Sequence, residues 1–258
     1  MKNRFLPGVP AKRIEGIFNS AAGNEIGSGK FDSPESSAAL AANSFGFFLE
    51  EPSRLPPLPG CGNEAWPAGA VDLDLEVTIR FPWSGGRHPV LDCVVATRSA
   101  LIGIESKRFE PFRSKSPPSL SDAYWRPVWG ERMKGFEGVR DALRDDPACY
   151  SRLDAAQLFK HAFALRTAVH RRREYLGLTP ILYYLFAEPG IWPRTGEPVD
   201  AGSKSRHRQE IEQFAAAVAG DEVRFVACSY RQLLASWARH AGSSIHAHAE
   251  AVAERFSP

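Results

Sequence analysis

The chain has almost no net charge: 32 Lys and Arg stand against 30 Asp and Glu, leaving +2 over 258 residues. That excludes a protein that holds a polyanion by bulk positive charge, although charge segregated on one face still fits a nucleic-acid partner. Cysteine is scarce. Cys61, Cys93, Cys149 and Cys228 are widely spaced and form no CxxC pair, which excludes a zinc ribbon and a thioredoxin-type motif. Cys93 and Cys228 lie in apolar, strand-like runs and are expected to be reduced core residues. No segment approaches the roughly 20 consecutive apolar residues of a membrane span. The opening "MKNRFLPGVPAKR" has no apolar stretch behind its charges, so no signal peptide is expected. No internal repeat is present. The expected setting is the reducing cytoplasm, away from any membrane.

What the sequence does have is a run of patterned segments. Residues 1–30, rich in Gly, Pro, Asn and Ser, read as an irregular N-terminal arm, and 31–258 as a single domain. In "SPESSAALAANSFGFFLEE", Ser33 is placed to cap a helix, with Pro34 at its first position and Glu35 near the positive end of its dipole. "VDLDLEVTIRFPW" alternates as a strand does, and "HPVLDCVVATRSALIGIESKRF" reads as a hairpin. Residues 113–132 read as loop or short helix. "SRLDAAQLFKHAFALRTAVHRRR" reads as a helix with Ser151 and Asp154 as a capping pair. "TPILYYLFAEP" is apolar throughout, as expected of a strand buried on both faces. "RHRQEIEQFAAAVAG" reads as a helix, "EVRFVACS" as a strand, and "YRQLLASWARHAG" as a last helix. Hairpin strands first and alternating units later predict an α/β fold, with a mixed central sheet flanked by helices on both faces.

Charge enters this pattern at an unexpected place. In "ALIGIESKRFEPF" an apolar strand ends in Glu105, Ser106 and Lys107. A hairpin turn centred on Arg98–Ser99 puts Asp92 directly opposite Glu105 and on the same side of the sheet, with Cβ atoms about 5 Å apart. Lys107, two residues on, shares that side. Opposed carboxylates repel, and a hard divalent cation such as Mg²⁺ or Mn²⁺ relieves them. The adjacent ammonium can hold a water or a phosphate oxygen. Metal, water and lysine are the parts needed to hydrolyse a phosphodiester.

"HPVLDCVV" and "ALIGIESK" resemble the core of the PD-(D/E)XK, or restriction-endonuclease-like, nuclease superfamily. With "ESSAALAANSFGFF", "LEVTIRFP" and "LDAAQLFKHAFALR", the likeness extends over roughly residues 33 to 240 and is to bacterial putative restriction endonucleases. It implies a Mg²⁺- or Mn²⁺-dependent deoxyribonuclease with DNA as partner, and it admits a homodimer. Asp92, Glu105 and the carbonyl of Ser106 are the implied metal ligands. Lys107 is the implied positioner of the attacking water. No proline directly precedes Asp92; Pro89 is three residues before it.

The resemblance also implies a polar contribution from the helix after the ExK strand. Gln157 is the first choice, with Lys160 and His161 further candidates on the same helical face. Glu35 is the candidate acidic residue of the first helix, in competition with Glu50 and Glu51. Glu76, on the strand before the hairpin, either faces the site or pairs with Arg80. His246 and His248 form an HxH with no further ligands near in sequence. Two other readings stay open. Asp92 and Glu105 also suit a glycosidase pair, which leaves Lys107 unexplained. A nucleic-acid-binding module with a nuclease-like fold and no catalysis is the other.

Overall fold

The alternating and apolar runs fold into five strands: β1 (Ala70–Thr78), β2 (Val90–Thr97), β3 (Ala100–Lys107), β4 (Thr179–Phe186) and β5 (Arg224–Ser229). They form one sheet in the order β1-β2-β3-β4-β5. The computed structural model describes residues 4–21, 23–240 and 243–258. β1, β2 and β3 are antiparallel neighbours, whereas β3, β4 and β5 run parallel. Chain length between strands decides this: two residues join β2 to β3, and helix-bearing connections precede β4 and β5. The sheet is therefore mixed, as the element order predicts.

The helices are α1 (Ala11–Ser20), α2 (Ser37–Phe45), α3 (Lys134–Asp145), α4 (Ala155–Arg171), α5 (Ala201–Ala217), α6 (Tyr230–Ala238) and α7 (Ser244–Phe256). They cover both faces of the sheet. Cys93, Val95, Ile102, Ile104 and Tyr183 pack with α1, α2, α6 and α7. Val94, Ala96, Leu101, Leu182 and Tyr184 pack with α3, α4 and α5. β4 is buried along all but its first residue, which explains its unbroken apolar sequence.

Several local expectations are corrected. The arm expected to be irregular carries α1, whose Ile14 and Phe18, one turn apart, are buried in the core. α2 starts later than Ser33 suggests: Ser36 caps it, its side chain accepting from the Ala39 N–H at 3.0 Å. Ser151 and Asp154 do not form a pair. Asp154 alone caps α4 through the Gln157 N–H at 2.9 Å, and Ser151 bonds to Glu210 instead. α3 and α7 were not expected at all.

One glycine sets how closely α4 lies on the sheet. A Cβ on Gly103 of β3 would stand 2.6 Å from Leu91 Cδ1 and 2.9 Å from Leu165 of α4. Its bare backbone brings α4, and the polar face of that helix, down onto the end of β3.

Candidate active site

The β2–β3 register is the one the sequence predicts. Cys93 pairs with Ile104, Val94 with Gly103, Val95 with Ile102 and Ala96 with Leu101. Extended one step, it sets Asp92 against Glu105. The regular ladder stops just there, however. The next inward-pointing donor on β3, the Ser106 N–H, goes to the Asp92 carboxylate at 2.6 Å. Asp92 thus reaches along the sheet to β3 rather than standing on its face, which amends the simple face argument. The cause is visible in the packing. Cys93 belongs to one core and Leu91 to the other, as do Leu75 and Val77 on β1, so strict alternation fails between them. Glu76, between Leu75 and Val77, has φ +52°, a left-handed backbone that breaks a strand's alternation.

Glu105 is 2% exposed, and its two oxygens face Lys107 and His161. Lys107 Nζ forms an ion pair with Oε1, and His161 Nδ1 lies 3.1 Å from Oε2. The latter pair is misaligned: Oε2 and Nδ1 are both buried without a hydrogen-bond partner. Burial alone would raise the Glu105 pKa. Lys107 and His161 outweigh it and hold the carboxyl at about 2. Lys107 is raised above its ordinary value: burial opposes the ammonium, but Glu105, Asp92 and Glu110 more than compensate. Ser106 is fixed by a 2.7 Å hydrogen bond between its hydroxyl and that of Tyr230 on α6. In a strand the N–H and C=O of one residue point to the same side. The Ser106 carbonyl therefore faces the gap that Asp92 enters.

Carboxyl groups at this strand end outnumber the one ammonium, and two of them are held toward the protonated form. Asp92 is pushed well above the usual carboxylate range by loss of hydration and by Glu105, against the pull of Lys107 and the Ser106 N–H. Glu76 falls opposite Asp92 on β1, between the Leu75–Cys93 and Val77–Leu91 pairs. Its carboxyl is pushed up to about 7 by desolvation, then by Glu25 and Glu105. Glu76 thus belongs with the site, and no ion pair to Arg80 forms among the described residues.

A cleft of about 720 Å³ opens beside this end, and Lys107, Gln157, Lys160 and His161 all line it. The helix face read from spacing is therefore the face that meets the cleft. His161 is 1% exposed rather than solvated, because Gly103 lets α4 settle onto Glu105. Glu35 does not join the carboxylates: it pairs with Arg113, and with Arg194 at 3.7 Å, at the rim. Glu50 and Glu51 pair with Arg13 and Arg54. The HxH splits, with His246 bonded to the Ala238 carbonyl and His248 to that of Ser44.

Sequence reasoning missed three neighbours. Glu110 lines the cleft and was visible in "KRFEPF" as an acid three residues after Lys107. Glu25 and Tyr230 come from distant segments, and nothing in their local sequence marks them. Among the described residues no three His, Cys, Asp or Glu groups form a ready-made metal site. Glu105 is closed by Lys107 and His161, and one Asp92 oxygen is held by Ser106. The donors nonetheless suit a hard cation: carboxyl groups, Asp92 and Glu76, that form no ion pair among the described residues, a buried Glu105 oxygen without a hydrogen bond, and a carbonyl at the same gap. No protein-family model, no curated protein and no solved structure matches the chain.

Proposed function

We propose that this protein is a divalent-cation-dependent nuclease that hydrolyses DNA phosphodiester bonds. The supporting observation is the strand end at which Asp92, Glu105 and Lys107 meet across the Ser106 N–H, with carboxyl groups outnumbering the one ammonium. The resemblance of the motif to PD-(D/E)XK nucleases agrees with it. Asp92, Glu105 and the Ser106 carbonyl would hold Mg²⁺ or Mn²⁺. Such an ion supplies Lewis-acid polarisation of the phosphate and a lowered pKa for water. Lys107 then leaves Glu105 and turns its three donors to the attacking water or a phosphate oxygen. Water attacks phosphorus as the P–O bond to the leaving oxygen breaks, and Lys107 offsets the charge that develops on the phosphoryl group. Gln157, which lines the cleft, would orient the phosphate.

The closure of Glu105 by Lys107 and His161 favours a second reading, a nucleic-acid-binding module that does not cut. One experiment separates the two. Purified protein is incubated with plasmid and linear DNA in EDTA, Mg²⁺ and Mn²⁺, beside Asp92→Asn and Glu105→Ala. Metal-dependent cleavage lost in both variants supports the nuclease. DNA binding with no cleavage in any metal supports the module, and wild-type cleavage by Glu105→Ala refutes the proposed site.

A further inference from the structure

Many of the basic side chains are already engaged by groups of the same chain. Arg113 pairs with Glu35, and Lys115 donates to the Arg152 carbonyl. Arg171 and Arg172 bond the carbonyls of Pro82 and Thr78, which braces the β1–β2 connection. Arg206 and Arg208 pair with Glu210 and Glu188.

Two cations near the cleft are held differently. Lys160, which lines the cleft with Lys107, has its ammonium 5.3 Å from the ring centre of Tyr124. Arg126, exposed, lies 5.0 Å over the ring of Trp83. The two rings are neighbours, with centres 6.4 Å apart. Among the described residues neither cation has an acidic partner. The acid that acts on Lys160, Asp154, is occupied in capping α4. The contrast with Trp125 is informative. That ring also carries two arginines, but Arg140 and Arg144 are paired with Asp141 and Asp145.

An aromatic mount orients a cation without cancelling its charge, whereas a carboxylate cancels it. Two oriented, unneutralised cations side by side suit consecutive anions on one chain. Their place also fits: Trp83 sits in the β1–β2 connection, whose Pro89 lines the cleft, and Lys160 is on α4, which forms another part of its wall.

We propose that Lys160 and Arg126, mounted on Tyr124 and Trp83, form a backbone-phosphate subsite apart from the bond handled at Lys107. The ligand of the cleft is then a polynucleotide strand engaged through several phosphates, not a mononucleotide or an isolated phosphate ester. This rests on the nuclease reading insofar as it takes the polyanion to be DNA.

The test is binding of an end-labelled DNA duplex of about 20 base pairs, followed by fluorescence anisotropy in EDTA at several salt concentrations. Each lost phosphate contact lowers the slope of log K against log salt by about 0.9. Lys160→Gln and Arg126→Gln are each expected to show that loss, the double variant about twice it. At about 0.1 M salt this corresponds to roughly eightfold weaker binding for each and roughly sixtyfold for both. Lys160→Arg keeps the charge and should keep the slope. Circular dichroism and thermal unfolding establish that the variants are folded. A double variant with the wild-type slope overturns the subsite and leaves the nuclease reading standing. A wild type that binds no DNA at any salt overturns that reading and the subsite with it.

Discussion

Glu210 of α5 gives the clearest physical prediction, because it is independent of what the cleft binds. Its side chain is 1% exposed. It accepts from the N–H groups of Ser151, Arg152 and Leu153 at 2.9, 2.8 and 2.8 Å, from the Ser151 hydroxyl at 2.8 Å and from Arg206 Nε at 2.9 Å. Burial would raise its pKa; these donors reverse that and hold it at about 2, against an ordinary 4.5. At about 1.4 kcal/mol per pH unit, the gap corresponds to about 3 kcal/mol of stability. Because the folded value is the lower one, this stability is complete well above pH 4.5 and is lost as pH falls toward 2. Less than half, about 1.4 kcal/mol, survives at pH 3. Glu210→Gln keeps the shape, loses the charge and turns an amide NH₂ toward donors. It should cost about 3 kcal/mol at pH 7 and markedly less at pH 3. Urea unfolding followed by tryptophan fluorescence at the two pH values measures this. An equal cost at both, or a cost below about 1 kcal/mol at pH 7, refutes the clasp. The clasp matters for the cleft because residues 151–153 lead directly into α4, which carries Gln157, Lys160 and His161.

The remaining predictions concern the site. Glu76→Gln should stabilise the metal-free protein by about 3 kcal/mol at pH 8 and by less than about 1 kcal/mol at pH 5: the folded carboxyl, pushed up to about 7, is neutral at the lower pH and costly to ionise at the higher; chemical denaturation at both pH values checks it, and equal effects would remove Glu76 from the cluster. Gly103→Ala should cost about 1–3 kcal/mol, since its Cβ meets Leu91 and Leu165; an unchanged thermal midpoint would show that α4 has slack. Lys107→Ala should abolish cleavage yet tighten Mg²⁺ or Mn²⁺ binding in calorimetric titration, because it removes the cation that competes for Glu105; weaker metal binding would mean that Lys107 is not a competitor.

The hairpin was legible in the sequence because two independent constraints agree there. A two-residue turn fixes the pairing, and period-2 burial allows no slip. β4 was legible because a strand buried on both faces leaves no polar position to blur it. α1, α3 and α7 were not. α1 and α3 carry interior glycines at Gly16, Gly135 and Gly138, and α7 is alanine-rich, which masks the helical signal of each. The later start of α2 came from a choice between two serines three residues apart, which spacing alone does not decide. At the site, the motif gave Asp92, Glu105 and Lys107. The contact of His161 with Glu105 depends on how deeply α4 sinks, and that is set by Gly103 on another element. Glu25 and Tyr230 arrive through chain connections of which no local pattern carries a trace.

The electrostatics of the strand end also bear on how the site survives without its proposed metal. Asp92 and Glu105 converge on one ammonium with Glu76 beside them, and the fold gives the three carboxyl groups unequal protonation. Glu105 is ionised and held between Lys107 and His161, while Asp92 and Glu76 are driven toward neutrality. A cation entering the cluster has to displace Lys107 from Glu105 and drive protons from Asp92 and Glu76. Metal binding should therefore release protons, and its affinity should rise with pH as Glu76 ionises near 7. The displaced Lys107 is then free to meet a phosphate. On the proposed nuclease reading, one ion pair would couple metal entry to the freeing of Lys107. On that reading, the closed Glu105–Lys107 pair would be the metal-free resting form of the site. Titrating Mn²⁺ calorimetrically in two buffers of different ionisation enthalpy measures the released protons. Binding with none released would show that Asp92 and Glu76 are already ionised and that the coupling is absent.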